Sequence, residues 1–247
     1  MSVALITGAA KRLGREIAIT LSRNGWDIAI HYHSSLADAE SLASEIRAHG
    51  RRASLVAADL EDEAQVLTIV GQANAALGSV TALVNSASVF SDDRLDSVTR
   101  ASWDRHLNTN LRAPLVLSQK FAEQLPAGAE GSIVNLVDQT ILRLTPQFLS
   151  YTVSKSALWT LTQTMAQALG PRIRVNAVAP GPSLKASRQS VENFERQVEA
   201  TLLKRPSAPA DIAGAVLYLL QARAVTGQMI AVDSGQHLGW APENFID

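Results

Sequence analysis

The sequence contains no cysteine, which excludes disulfide bonds, thiolate metal ligands and cysteine nucleophiles. It also has no apolar run of about 18 residues, so no membrane-spanning helix is predicted. Neither sign of charge dominates: the net charge is −1, which gives no reason to expect nucleic acid or an anionic membrane as a partner. The start of the chain has no basic residue before its short apolar run, so we expect no secretory signal and a cytoplasmic location.

Short apolar segments alternate with amphipathic ones along the whole chain. The predicted strands are 3–6, 28–32, 53–57, 82–84, 132–136, 174–179 and 229–232, and the predicted helices are 13–23, 36–49, 62–77, 103–125, 148–169, 191–203 and 210–221. Near-continuous apolar strands are typical of a parallel sheet covered on both faces. We therefore predict one doubly wound α/β domain over residues 1–247, with a kink or break at Pro114 in the helix 103–125.

The polar segment 180–208 departs from this alternation, because it is rich in Pro, Ser, Lys and Arg around one helix. This composition predicts a mobile flap over a site. Near the end of the chain, Trp240 is interpreted as a packing residue.

A turn with glycines at both ends follows the first strand and opens the first helix. Such a turn brings backbone N–H groups and a helix N-terminus up to a pyrophosphate. Gly8 and Gly14 are six residues apart, and Arg12 stands where another glycine would complete the fingerprint, so a plain tight turn is the alternative. The residues expected to contact the cofactor here are Gly8, Lys11, Arg12, Leu13 and Gly14.

The second strand ends without the acidic residue that binds the ribose 2′-hydroxyl of NAD. Cationic and hydroxyl groups suit a 2′-phosphate instead, and they are supplied by Lys11, Arg12, His31, His33 and Ser34. We therefore predict NADP(H), the alternative being that the two histidines face solvent. After the third strand, Asp59, with Leu60 beside it, is predicted to bind the adenine amino group, although an Asp heading the next turn would look the same.

Tyr151 and Lys155 lie four residues apart in a predicted helix and therefore share one face. An ammonium beside a phenol stabilises the phenolate and lowers a phenol pKa that is otherwise about 10. This spacing predicts a proton donor or acceptor at Tyr151. The alternative is an amphipathic helix that carries both residues by coincidence.

Five ordered motifs together resemble the short-chain dehydrogenase/reductase family. They are Thr7-Gly8 with Gly14, Asn85-Ser86-Ala87, Asn110, Tyr151 with Lys155, and Pro180-Gly181. The resemblance implies a Rossmann sheet in the order 3-2-1-4-5-6-7, a nicotinamide cofactor and a homotetramer. It also implies that Tyr151 is the catalytic acid/base, that Lys155 lowers the pKa of Tyr151 and holds the ribose, and that Asn110 supports a relay water. The cofactor lining is implied to include Asn85, Ser86, Ala87, Pro180, Gly181, Ser183 and Leu184, besides Tyr151 and Lys155.

Asp138 is the main departure from that family pattern, because a serine normally precedes the tyrosine by thirteen residues. A carboxylate would repel a carbonyl oxygen that gains negative charge, but it suits a substrate with N–H donors. A protonated Asp138 would also deliver a proton to a ring nitrogen. In this respect the chain is similar to the pteridine and dihydrofolate reductases of the family. That similarity implies substrate contacts from Arg12, Ser88, Phe90, Asp138 and Tyr151.

The first hypothesis is therefore an NADPH-dependent reductase of a pterin or dihydrofolate-type heterocycle, with no metal site. A carbonyl reductase or alcohol dehydrogenase, in which Asp138 binds a substrate hydroxyl, is the second. A non-catalytic NADP-binding regulator is the third, and the intact set of Tyr151, Lys155 and Asn110 argues against it.

Overall fold

A computed structural model describes residues 2–185 and 189–239. Trp240 and part of the predicted 180–208 flap lie outside these residues. The strands are β1 (Val3–Ile6), β2 (Asp27–Tyr32), β3 (Ala53–Ala57), β4 (Ala82–Asn85), β5 (Gly131–Leu136), β6 (Ile173–Pro180) and β7 (Met229–Val232). They form one parallel sheet in the order β3-β2-β1-β4-β5-β6-β7, which confirms the predicted topology.

Helices cover both faces of this sheet. They are α1 (Arg12–Arg23), α2 (Leu36–Ala48), α3 (Glu63–Leu77), α4 (Arg100–Leu107), α5 (Ala113–Gln124), α6 (Leu149–Leu169), α7 (Val191–Glu199) and α8 (Pro209–Gln221). A hydrophobic core lies on each face of the sheet. Alternate residues of β1 belong to different cores, because side chains along a strand point to opposite faces. Ile6 packs with α1, α2 and α8, whereas Leu5 packs with α3 and α5. None of the described helices is both long and apolar enough to cross a bilayer.

Two helix predictions need correction. The predicted helix 103–125 is interrupted near Pro114, as expected, by a π-helix, Asn108–Arg112, that ends two residues before this proline, which lacks the N–H that a continuous helix would need. Its first part begins earlier than predicted, because Thr99 and Ser102 form a capping box. Helix α7 ends at Glu199 rather than at residue 203, where the Leu203 N–H instead donates to the Ser234 carbonyl oxygen at 3.1 Å.

Candidate active site

The loops that follow β1 and β4 are tied together at the carboxyl edge of the sheet. The Thr7 hydroxyl oxygen accepts the backbone N–H groups of Ser86 and Ala87, each at 3.0 Å. Gly8 has a φ of +64°, and a Cβ there would lie 2.9 Å from the Ala87 Cα. The two loops therefore approach too closely for a side chain at position 8, at the edge where parallel α/β sheets bind ligands.

Gly14, in the first turn of α1, is also held by a close backbone contact. A Cβ at position 14 would lie 2.3 Å from the Gly8 carbonyl oxygen. The N-cap of this helix is Lys11, whose side chain makes no capping hydrogen bond, so the first N–H groups of the helix, including that of Leu13, have no side-chain cap. The turn thus has the donors and the close packing that an anion-binding helix start requires.

His31 does not supply the positive charge that the sequence predicts for a 2′-phosphate. Its side chain is buried, its Nδ1 accepts the Gly8 N–H at 3.1 Å, and its Nε2 lies 3.2 Å from the Ala58 carbonyl oxygen. Burial lowers the pKa of His31 to about 4. The imidazole is therefore neutral near pH 7 and supports the turn from beneath, which corrects the prediction.

A surface cavity opens beside the turn, where the predicted 2′-phosphate would lie. Its lining is Gly8, Ala10, Lys11, Tyr32, His33, Ser34 and Ser35. This described lining contains no carboxylate, although Lys11 Nζ lies 2.9 Å from an Asp38 carboxylate oxygen outside it. Lys11, His33 and Ser34 are thus brought together as predicted.

Asp59 and Leu60 lie on the next turn of this edge. The Asp59 carboxylate accepts the Glu61 N–H at 2.9 Å and lies 3.8 Å from the His33 ring, so it heads a turn, while its contact with an adenine amino group stays a prediction. The Leu60 side chain is buried in the core. A contact between Leu60 and an adenine could therefore come only from the backbone of Leu60.

Asp138 and Tyr151 meet directly. Asp138 follows β5, and its Oδ1 accepts the Thr140 N–H at 2.9 Å, which holds the carboxylate in place. Its Oδ2 accepts the Tyr151 hydroxyl at 2.7 Å. A carboxylate thus occupies the position beside the tyrosine hydroxyl, in agreement with the thirteen-residue spacing in the sequence.

The pKa of Tyr151 is raised well above its ordinary value, whereas the sequence predicts a lowered one. Burial is the main cause, followed by the charge of Asp138 and the hydrogen bond to it, while the nearby Ser88 hydroxyl opposes the shift. Lys155 Nζ lies 5.8 Å from the centre of the Tyr151 ring and donates to the Leu136 carbonyl oxygen at 2.7 Å. Burial lowers the pKa of Lys155 to about 8, and the charge of Asp138 opposes this. Without ligands, Tyr151 is therefore a firmly protonated phenol.

Asn110 is fully buried in the π-helix and shapes the loop that carries the predicted substrate contacts. Its Oδ1 accepts the Val89 N–H at 2.8 Å and the Ser88 hydroxyl at 3.2 Å. Its Nδ2 donates to the Val89 carbonyl oxygen at 3.0 Å and to the Ser154 hydroxyl at 3.1 Å. The side chain links this loop to α6.

The Asn85 side chain is hydrogen-bonded to the neighbouring strand β5. Its Nδ2 donates to Asn135 Oδ1 at 2.8 Å, and the Asn135 Nδ2 continues to the Thr162 hydroxyl at 2.8 Å. The Asn85 amide nitrogen therefore serves to join β4, β5 and α6.

Phe90 lies at the mouth of the site beside Tyr151. Its ring centre is 4.8 Å from that of Tyr151 in an edge-on arrangement, and 4.6 Å from that of Phe148 in a stacked one. Phe148, predicted as the first residue of this helix, is instead the N-cap of α6 with a left-handed φ of +56°. Two rings at 4.6 Å leave no space for a third, so a flat ligand cannot enter between Phe90 and Phe148.

Arg12 connects the phosphate turn to the segment after β6. Its guanidinium donates to the backbone carbonyl oxygens of Leu184 at 3.0 Å and Lys185 at 3.2 Å. Gly181 passes so close to β7 that a Cβ would lie 2.5 Å from the Asp233 Cα, while Pro180 is buried and Ser183 is half-buried. The predicted residues of this segment thus reach the same edge of the sheet as the turn.

The chain is similar to known proteins over most of its length. A family model described as Enoyl-(Acyl carrier protein) reductase matches residues 8–237. The 3-oxoacyl-(acyl-carrier-protein) reductase FabG of Staphylococcus epidermidis is 32% identical over 240 residues, covering 95% of this chain and 98% of that protein.

Two solved structures are also similar over nearly the whole chain. FolM alternative dihydrofolate reductase 1 from Brucella canis, complexed with NADP, has a TM-score of 0.95 at 43% identity and covers 99% of this chain and 97% of that one. A blue fluorescent protein from a metagenomic library, in complex with NADPH, has a TM-score of 0.89 at 37% identity, with 95% and 97% coverage. Together with the ordered motifs, these matches establish that the chain belongs to the short-chain dehydrogenase/reductase family.

Proposed function

We propose that the protein is an NADPH-dependent reductase of a pterin or dihydrofolate-type heterocycle. The observation that carries the proposal is the Asp138 carboxylate, 2.7 Å from the Tyr151 hydroxyl, in the position where the family normally has serine. The likeness to the FolM dihydrofolate reductase at 43% identity supports the same substrate class.

The residues at the carboxyl edge of the sheet fit NADP. The close approaches at Gly8 and Gly14 bring backbone N–H groups to the start of α1, where a pyrophosphate is stabilised. The cavity lined by Lys11, His33 and Ser34 lacks a carboxylate in its described lining, which suits a 2′-phosphate better than a free hydroxyl. The bound nicotinamide would supply the hydride.

The substrate contacts follow from charge and shape. An Asp138 carboxylate accepts N–H groups such as those of an aminopyrimidine edge, and it disfavours a carbonyl oxygen on which negative charge develops. The half-exposed Phe90 ring beside Tyr151 offers an aromatic contact to a flat ring, although Phe148 covers one of its faces. These two features favour a planar heterocycle with N–H donors.

Proton delivery is assigned to Tyr151. Its raised pKa keeps the phenol protonated at neutral pH, so it can donate to the ring nitrogen next to the carbon that receives hydride. The ammonium of Lys155, 5.8 Å from the ring centre, stabilises the phenolate that remains, and a proton from solvent restores the phenol. In this scheme Asp138 orients the substrate and accepts the hydrogen bond of the Tyr151 hydroxyl, while Tyr151 gives up the proton.

A carbonyl reductase is the second candidate, because the FabG relative is named for a 3-oxoacyl substrate. A substrate panel separates the two: NADPH oxidation is followed by absorbance with dihydrobiopterin, dihydromonapterin, dihydrofolate and a 3-oxoacyl thioester. We expect turnover of at least one of the three reduced-ring heterocycles, with inhibition by methotrexate, a pterin mimic. Absence of turnover with all three would refute the proposal, and NADPH binding without turnover of any compound would favour a regulator.

Asp138→Ser sharpens this test. It should lower kcat/KM for the pterin substrate about 100-fold, because the substrate N–H groups lose their acceptor, while thioester reduction is kept or improved. The control is Asp96→Ser, which removes an exposed carboxylate from the same protein. An unchanged ratio of the two activities in Asp138→Ser would contradict the proposed role.

The family resemblance further leads us to propose a cytoplasmic homotetramer. Sedimentation equilibrium of the purified protein tests the tetramer, which a monomeric mass would exclude.

A further inference from the structure

A buried polar cluster lies beneath Tyr151 at the start of α6, and the proposed mechanism does not use it. It consists of Asp93, His106 and Ser150, each at most 5% exposed. Buried polar groups destabilise a protein unless they are hydrogen-bonded, so the connections within this cluster need an account.

The cluster first provides the cap that α6 lacks. The N-cap residue Phe148 makes no capping hydrogen bond of its own with its side chain. Instead the Phe148 N–H donates to Asp92 Oδ1 at 3.1 Å, the Leu149 N–H to the Asp93 carbonyl oxygen at 2.9 Å, and the Ser150 N–H to Asp93 Oδ1 at 2.9 Å. Three successive donors directly before Tyr151 are thus satisfied by two residues that are more than fifty positions away in sequence.

The side chains then form a directed chain of hydrogen bonds. The Ser150 hydroxyl donates to Asp93 Oδ2 in a short bond, so it must accept from His106 Nδ1, which lies 2.6 Å away. The other ring nitrogen, Nε2, accepts the N–H of Ser91 at 3.3 Å and lies 3.1 Å from the Ser91 hydroxyl. The network therefore assigns a neutral His106 with its proton on Nδ1.

The pKa shifts of His106 and Asp93 agree with a neutral His106 beside an ionised Asp93. Burial lowers the pKa of His106, although the nearby Asp93 charge opposes the shift. Burial also opposes ionisation of Asp93, but hydrogen bonds from Ser150 and Ser102 outweigh it, so the pKa of that carboxyl lies below its ordinary value. The centre of the His106 ring is 6.1 Å from that of Tyr151, in an edge-on arrangement.

We infer that Asp93, His106 and Ser150 are positioning residues that fix the first turn of α6 and thereby hold the Tyr151 hydroxyl against Asp138. The inference rests on the proposed function, since it assigns these residues to the delivery of the same proton. None of the three is expected to touch substrate or cofactor.

Two serines that donate to the same carboxylate oxygen provide a matched test. Ser150 joins Asp93 Oδ2 to α6, whereas Ser102, 2.9 Å from the same oxygen, belongs to the capping box of α4. Ser150→Ala should lower kcat about tenfold or more with little change in KM, because misplacing a reacting group by a fraction of an ångström is costly. Ser102→Ala should lower the melting temperature but leave kcat within about twofold of the wild type.

Amide hydrogen exchange gives a readout that needs no substrate. Exchange in the peptide that contains Phe148 to Tyr151 should become faster in Ser150→Ala and stay unchanged in Ser102→Ala. If the wild type turns over no pterin, the proposed function fails, yet this comparison still decides the positioning role. Equal effects of the two variants on kcat and on exchange would overturn the inference.

Substitutions of His106 keep the test decisive if Ser150→Ala does not fold. His106→Asn retains a donor for the Ser150 hydroxyl, whereas His106→Leu retains none. We expect His106→Asn to recover most of the kcat that His106→Leu loses. Equal kcat values for the two variants would show that the hydrogen bond to Ser150 does not position Tyr151.

Discussion

The two halves of the site use their polar side chains differently. In the cofactor half, the loops after β1, β2 and β3, polar groups support the backbone: His31 accepts the Gly8 N–H, and Asp59 heads a turn. In the substrate half, the loops after β4 and β5 with the start of α6, side chains meet one another at Tyr151 and Asp138. The first half therefore depends on close backbone packing, and the second depends on the chemistry of individual side chains.

This difference predicts how each half fails. Substitutions of Tyr151 or Asp138 in the substrate half should remove catalysis and leave the fold and the cofactor affinity nearly intact. Substitutions in the cofactor half should change stability together with cofactor affinity, because the backbone that would hold the phosphates also packs against the core.

The largest effect is expected from Tyr151→Phe. Loss of the hydroxyl removes the proton donor, so kcat should fall about 1,000-fold, while the Kd for NADPH changes less than about threefold. Tyr218→Phe, on the exposed face of α8, is the control and should match the wild type. A kcat for Tyr151→Phe within tenfold of the wild type would assign proton delivery to another group.

The next largest effect is the loss of folding stability at acidic pH that is caused by the buried His31. The pKa of His31 is lowered from 6.5 to about 4 in the folded state, so between these values only the unfolded chain gains the proton. Stability is therefore lost as the pH falls through this window, by about 3 kcal/mol in total. Urea unfolding of His31→Asn should show a correspondingly smaller loss between pH 6.5 and 4.

Tyr218→Phe, on the exposed face of α8, serves again as the control for His31 and should lose as much stability on acidification as the wild type. If His31→Asn lost as much stability on acidification as the wild type, the neutral, buried state of His31 would be wrong.

The smallest expected effect is the change in the free energy of unfolding when either of two helical glycines, Gly14 or Gly214, is replaced by alanine. Gly14→Ala should destabilise the protein by about 1–3 kcal/mol and weaken NADPH binding, because its Cβ would lie 2.3 Å from the Gly8 carbonyl oxygen. Gly214→Ala, in α8 with no atom within 4 Å of its Cβ, should instead stabilise by about 0.5–1 kcal/mol. Thermal unfolding and NADPH titration of both variants provide the measurement, and equal shifts would argue against a tight contact at Gly14.

Much of the fold is predictable because its causes lie close together in the chain. Strand β3 and strand β7 have the predicted bounds, and Asp62 caps α3 through the Ala64 N–H. The end of α7 was not predictable, because the competing partner of Leu203 is the carbonyl group of Ser234 on another element.

The sequence by itself determined the strand and helix periodicity and the order of the motifs, because these follow from short-range spacing and chain order. The position of Asp138 beside Tyr151 was implied by the family resemblance that those motifs carry. Only the tertiary structure decided that His31 is neutral, that the pKa of Tyr151 is raised, and that Asp93 caps α6. Burial and partners more than fifty residues apart set these properties, and neither can be deduced from local spacing.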